Sequence, residues 1–412
     1  MSGIRSIMED IAAAGGDPSG GEWINLSPGN PALIPEVVMA WRRMAEQALA
    51  DDFIDSACRY GPSRGSHGLI AAIVAYFNDT YGWSIGPQNV VVGAGTQMLT
   101  FMATSIFTSV DKAERRPLVL PRLPDYAGYQ GLVVGAGGIV GVEPVVVEEG
   151  ERYFSYAVDQ DALRQQAEMG MMLVSNPANP TGAGIDTAEL EAIVSLAQER
   201  DVPLVLDHAY GQPFPAVAET PVGPVWHSHV INCFTFSKVG LPGERLGFAI
   251  GPVEAIAPMV SFTANAALHA PALIQTVAQR ALASREIDVL TAEFITPYYR
   301  NKRSLVEKLL FEYLPASVSW RMHSGSGGMF CWLWIEEDWF DDLEMYVALK
   351  SKNVLVVPGR HFFIGPMNTP FLRGHGSRCI RMSMSGDESL IARGLQIISA
   401  TLEELRRMRS SR

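Results

Sequence analysis

The chain has 412 residues, 48% of them hydrophobic and 18% charged, the composition of a globular protein with a sizeable core. Lys and Arg number 32 against 44 Asp and Glu, and a formal net charge of −12 leaves no general electrostatic footprint for a nucleic-acid backbone. Cys58, Cys233, Cys331 and Cys379 lie far apart without a C-x-x-C pair, so reduced thiols are expected, with neither a disulfide framework nor a zinc knuckle.

At the amino terminus, Glu9 and Asp10 stand where a secretory leader would need its apolar stretch. No run approaches the roughly 18 apolar residues of a membrane span, so a cytoplasmic location without a membrane partner is expected. Residues 1–50 carry Pro28, Pro31 and Pro35 before one helix and are too few for a core of their own. They are expected to join the smaller domain or cover a cleft. From Val90 to Gly251 short apolar runs alternate with helical patterns, which is the signature of a largely parallel α/β sheet. Strands are expected at Val90–Val92, Leu118–Leu120, Met171–Ser175, Pro203–Asp207, Val230–Phe234 and Leu246–Ile250. Runs such as Leu204–Leu206 are apolar at every position, as strands covered by helices on both faces must be.

One helix is marked by Asp186 as N-cap, Glu189 three residues on, and Leu190, Ile193, Val194 and Ala197 at helical spacing. A long helical stretch follows at about Leu268–Tyr313. Strands are then expected around Val318–Met322 and Met329–Ile335, with helices at Asp342–Lys350 and Asp387–Arg409. The run of Phe330, Trp332 and Trp334 alternating with Cys331, Leu333 and Ile335 is expected to fill the core of this second, α+β domain. The division expected is a segment at 1–50, a large α/β domain at 51–295 and a small α+β domain at 296–412.

The chemistry concentrates in Phe234-Thr-Phe-Ser-Lys238-Val-Gly-Leu-Pro-Gly-Glu-Arg245, where a strand ends by placing one lysine among small hydroxyl residues. A partly buried amine has a lowered pKa and can form a Schiff base with an aldehyde. Ser175-Asn-Pro-Ala-Asn179 and Asp207-His-Ala-Tyr210 end two other strands. Ligands of open α/β sheets bind outside the carboxyl ends of the strands, so Asn179, Asp207, Tyr210 and Lys238 are expected in one crevice. An acid, an amide, a phenol and an amine are the groups that hold a pyridine ring carrying a hydroxyl and an aldehyde.

On these residues the chain resembles the aspartate aminotransferase family of fold type I, nearly end to end. The resemblance implies pyridoxal 5′-phosphate as cofactor, with Lys238 joined to its aldehyde, Asp207 on the ring nitrogen, and Asn179 and Tyr210 on the phenolic oxygen. It implies that Gly95, Thr96 and Gln97, with Thr235, Ser237 and Arg245, hold the phosphate, and Gly95-Thr-Gln is expected to open a helix whose start favours an anion. Tyr126 matches the aromatic that stacks on the ring. Tyr60, in Tyr60-Gly-Pro-Ser-Arg-Gly65, matches the tyrosine that reaches the phosphate of a neighbouring subunit, which implies a homodimer. Arg381, or alternatively Arg378, matches the arginine that grips the substrate carboxylate, with Gly29, Asn30 and Asn179 beside it.

The phrasing of Leu26-Ser-Pro-Gly-Asn-Pro31, Asp207–Pro215 and Val357–Phe363 is most similar to the subfamily that exchanges an amino group between valine and pyruvate. The implied reaction is transamination between an apolar α-amino acid and a 2-oxo acid. The alternative is another reaction of the same cofactor, by a decarboxylase, eliminase, cyclase or oxidase. A non-catalytic sensor lacks support, because no helix-turn-helix or basic segment accompanies the core. The loop with Arg360, His361 and Pro366–His375 lies near the expected pocket with its charge unassigned. Gly135–Gly141 has the wrong glycine spacing for a dinucleotide site, and His208, His227 and His229 lack metal-site spacing, so no metal is expected.

Overall fold

The computed structural model describes residues 7, 9–10, 23–109, 114–133, 138–218, 222–325, 328–365 and 369–410. Strand β1 (Ile24–Asn25) leads through the proline-rich segment into helix α1 (Pro35–Asp51), which begins on a proline, as the first helical turn tolerates. Val37, Ala40, Trp41, Met44 and Ala48 form its buried stripe. Helices α2 (Phe53–Ala57) and α3 (His67–Tyr81) follow.

The larger sheet has seven strands in the order β2 (Val90–Gly93), β10 (Gly247–Ile250), β9 (Val230–Thr235), β8 (Leu204–Asp207), β7 (Met171–Ser175), β3 (Leu118–Leu120) and β4 (Ile139–Gly141). Only β10 runs antiparallel to its neighbours. Every residue of β7, β8 and β9 is buried, because helices cover both faces. Alternation then divides the side chains: Phe234 packs with Phe77 and Phe248 on one face, and Ile231 and Cys233 with Leu99 and Ile256 on the other. Helix α4 (Thr96–Phe107) follows β2, and helix α5 (Thr187–Glu199) lies between β7 and β8. Asp186 caps α5 through the Glu189 amide at 2.8 Å, but the Glu189 carboxylate turns away to accept from the Val158 amide at 2.6 Å. The Gly-rich run is not a helix start: Ile139–Gly141 is the edge strand β4, and residues 134–137 lie outside the described residues.

The long helical stretch divides at Arg285, which is left-handed (φ 60°), into α6 (Ala272–Ala283) and a path ending in α7 (Thr296–Tyr313). A second sheet of six strands runs β14 (Val357–Pro358), β15 (Cys379–Ser383), β12 (Phe330–Ile335), β11 (Trp320–His323), β6 (Tyr153–Ala157) and β5 (Val145–Glu149). The hairpin β5–β6 comes from early in the chain yet pairs with β11 in the register Met322↔Tyr153. Helices α8 (Asp342–Lys350) and α9 (Glu388–Ser410) flank this sheet, and β1 pairs in parallel with β13 (Val354–Leu355).

Only half of the aromatic stripe behaves as expected. Cys331, Leu333 and Ile335 pack with Leu395 and Ile398 of α9, whereas Phe330 and Trp332 join the clusters that reach the larger sheet. The period of two sends alternate side chains of β12 to opposite faces, and both faces are covered.

Candidate functional site

Lys238 and Arg245 are brought together by a β-hairpin. β9 and β10 pair with Thr235 opposite Gly247, and the Phe236 amide donates to the Leu246 carbonyl at 3.0 Å. The intervening loop therefore returns Arg245 beside Ser237, where Nη1 donates to Oγ at 3.2 Å and to the Pro242 carbonyl at 3.1 Å. Thr235 Oγ1 lies 2.9 Å from Ser237 Oγ and donates to the Leu246 carbonyl at 3.1 Å. Gly95 precedes α4 at φ 81°, and a Cβ there would lie 2.7 Å from Arg245 Nη2. The N-cap of α4 is Gly95, so no side chain caps the amides of its first turn. Trp41 of α1 donates from Nε1 to the Val239 carbonyl at 2.7 Å, fixing the lysine turn from behind.

The Lys238 amine donates to the Gly29 carbonyl at 2.7 Å. Burial lowers its pKa to about 8, helped by the cationic Arg381 and Arg245 and opposed by Asp207. Asp207 ends β8, next to β9. Burial pushes its pKa up to about 6, offset by donors that favour the charged form: the Tyr129 hydroxyl on Oδ2 and the Ala209 amide on Oδ1, each at 3.0 Å, and the Thr96 hydroxyl. Asn179 follows β7. Its Nδ2 donates to the Tyr210 hydroxyl at 3.3 Å, and its Oδ1 accepts from Arg381 Nη1 at 3.0 Å.

Arg381 lies on β15 of the second sheet, so the site is closed by both sheets. Its guanidinium lies 4.1 Å from the ring centre of Phe330 and 5.1 Å from that of Phe362, and its Nη2 donates to the Ser27 carbonyl. Burial lowers its pKa to about 10. Arg378, the alternative, instead pairs with Asp338 at 2.8 Å. In the neighbouring loop, Arg360 pairs with Asp341 and Asp342 at the start of α8. His361 and His375 are held neutral by burial, at about 4 and about 3, and residues 366–368 lie outside the described residues.

The remaining expected residues occupy less central positions. Tyr126 is 36% exposed, with the edge of Tyr129 at 5.3 Å, and Gln97 donates to the Gly128 carbonyl at 3.3 Å. Asn30 is exposed, and the polar contacts of its segment with the site come from the carbonyls of Ser27 and Gly29. Tyr60 is 87% exposed, and its ring meets His269 at 6.0 Å rather than the Lys238 cluster. His208 is buried behind Asp207, bonded to Asn232 at 2.9 Å and stacked on Phe234.

Tyr129, Phe330, Phe362 and the Ser27 carbonyl were not legible as site groups. For Tyr129 a signal existed: it follows Tyr126 by three residues, and the segment Ala127–Gly131 is a 3₁₀ turn, whose period puts such residues on one side.

The family model of aminotransferase class I and II matches residues 21–398. The valine–pyruvate aminotransferase of Escherichia coli K12 is 29% identical over 404 residues, 98% of this chain and 95% of that protein. The crystal structure of a valine–pyruvate aminotransferase from Salmonella typhimurium LT2 superposes with a TM-score of 0.87 at 28% identity, covering 98% of this chain and 100% of the other. The aspartate aminotransferase of Thermus thermophilus, at 23% identity, shares the fold with a TM-score of 0.75 over 97% of this chain and 95% of its own. No helix among the described residues is long and apolar enough to cross a membrane. With a matching family model over most of its length and the fold-type I architecture, the chain belongs to the class I and II aminotransferases.

Proposed function

We propose that the chain is a pyridoxal 5′-phosphate-dependent transaminase that moves an amino group between an apolar α-amino acid, valine- or alanine-like, and a 2-oxo acid such as pyruvate. The observation that carries the reading is one crevice that holds the Lys238 amine, on the Gly29 carbonyl at 2.7 Å, with the buried carboxylate of Asp207 and the buried guanidinium of Arg381. The cofactor, when bound, supplies an aldehyde for amines and a ring that takes up the electrons left by a departing α-proton. The residues present fit it. Arg245, Ser237 and the uncapped amides of Thr96 and Gln97 suit a phosphate, and Gly95 leaves room where a Cβ would meet the guanidinium. Thr235 orients Ser237.

Asp207, ionised above about pH 6, keeps a ring nitrogen protonated beside it, and Tyr129 holds that carboxylate in place. Asn179 and Tyr210 present an amide and a phenol to the phenolic oxygen, and Tyr126 covers the ring face. Lys238, its amine lowered to about 8, would accept the substrate α-proton and deliver it to the cofactor's aldehyde carbon, and would move it the other way in the second half-reaction. Arg381, held by Asn179 and Ser27 between two phenyl rings, binds the substrate carboxylate in a fixed plane, with Gly29 and Asn30 covering it. Apolar substrates are supported by the name of the Escherichia coli relative and by the engagement of the nearby Arg360 and Arg378 with acids of the chain.

A homodimer is part of the same reading. Phe53 and Ile54, just before Tyr60 in the chain, and Leu268, next to the His269 that Tyr60 meets, are exposed apolar residues, and they suit a second copy that receives Tyr60 at its phosphate corner. The test is a donor screen with purified protein. Conversion of the bound aldehyde to the pyridoxamine form by valine or alanine, with return by pyruvate, is expected. Carbon dioxide or ammonia released without need of an acceptor would point to the alternative chemistries. In Lys238→Ala the borohydride-reducible link to the cofactor should vanish; a variant that keeps it overturns the assignment.

A further inference from the structure

The site as proposed leaves one buried acid without a task. Asp125 is fully buried in the turn between β3 and Tyr126, and its carboxylate meets donors from two separate stretches of chain. Oδ1 accepts from the Tyr126 amide at 2.7 Å and from the Ser175 hydroxyl; Oδ2 accepts from the Ser175 amide at 3.1 Å. The Ser175 hydroxyl in turn accepts from the Asn179 amide at 3.4 Å. The Asp125 amide donates to the carbonyl of Phe362, whose ring flanks Arg381, at 2.9 Å. A single residue therefore ties together the elements that carry Tyr126, Asn179 and the wall of Arg381.

We propose that Asp125 is a positioning residue, whose buried carboxylate sets where Tyr126 and Asn179 stand and so how tightly the cofactor ring and the substrate carboxylate are held. This rests on the reading of Tyr126, Asn179 and Arg381 given above. Chemistry explains why an acid is needed. All three partners donate, and an ionised carboxylate only accepts, whereas an asparagine must turn its NH₂ toward one of those donors. A buried negative charge is costly without compensation. Burial raises Asp125 against the opposing pull of the three hydrogen bonds and the cation of the buried Arg122, and the balance stands at about 7. A group selected for packing alone would be satisfied by an apolar residue of similar size.

The test compares Asp125→Asn and Ser175→Ala with the parent protein. In cofactor-free protein, amide hydrogen exchange at Tyr126 and Ser175 should quicken in D125N. Equal protection in parent and variant would overturn the inference whatever the cofactor does. With pyridoxal 5′-phosphate added, D125N should bind it about tenfold more weakly, equivalent to about 1.4 kcal/mol. The visible circular dichroism of the bound cofactor should weaken, and KM for the amino acid should rise more than kcat falls. S175A should shift the same readouts in the same direction, and the double variant should fall short of the sum, because both remove one network. Dichroism and affinity unchanged within twofold in both single variants would overturn the inference. A parent protein that fails to bind the cofactor would overturn the proposed function, and this inference with it.

Discussion

Replacing Tyr129 by Phe removes one hydroxyl and leaves the ring that packs edge-on against Tyr126 at 5.3 Å. That hydroxyl donates to Asp207 Oδ2 at 3.0 Å in a buried setting. A hydrogen bond to a charged group contributes about 1.5–3 kcal/mol. At about 1.4 kcal/mol per pKa unit, its loss raises the carboxyl by roughly one to two units. From about 6 in the parent, Asp207 should then titrate at about 7 to 8. The ionised fraction at pH 7 falls from about nine tenths to between about half and one tenth. The assay is carbon-13 NMR of aspartate carboxyl carbons in cofactor-free protein, with Asp207→Asn assigning the signal. Affinity for pyridoxal 5′-phosphate at pH 7 should drop in step and recover toward pH 9. If Asp207 in the folded Y129F protein titrates within about 0.3 unit of the parent, the hydrogen bond does not govern the acid and the reasoning fails.

Three further outcomes are expected. Asp207→Asn should lose turnover yet stabilise the cofactor-free protein at pH 8. The folded carboxyl binds its proton at about 6 against an ordinary value of 3.8, so parent stability declines as pH rises through that window by up to about 3 kcal/mol; thermal melts at pH 4 and pH 8 check it, and an equal shift at both pH values would refute it. Arg381→Lys should raise KM for amino acids by about tenfold to a hundredfold, since a point charge replaces a planar fork, while phosphate-corner binding of the cofactor stays near the parent value. Mixing Lys238→Ala with Tyr60→Ala chains should regenerate activity, because one site of each mixed dimer would combine an intact lysine with the partner's intact tyrosine. No recovery after verified subunit exchange would place the action of Tyr60 within its own chain.

The strands of the larger sheet were legible because β7, β8 and β9 are buried on both faces, and double burial writes a continuous apolar run that needs no partner to be recognised. The cap at Asp186 and the start of α1 after the proline-bearing segment were local as well. The convergence of Asn179, Asp207 and Lys238 followed from strand ends lying side by side as β7, β8 and β9. Other features depended on which distant segments meet. The hairpin that returns Arg245 to Ser237, the pairing of β5–β6 with β11, and the turn that aims Tyr129 at Asp207 are settled by closure of the chain. Periodicity reports how much of a side chain is covered and on which faces; it carries no record of what covers it. Phe330 has the pattern of a core residue and is one, yet tertiary packing alone made its neighbour the guanidinium of Arg381.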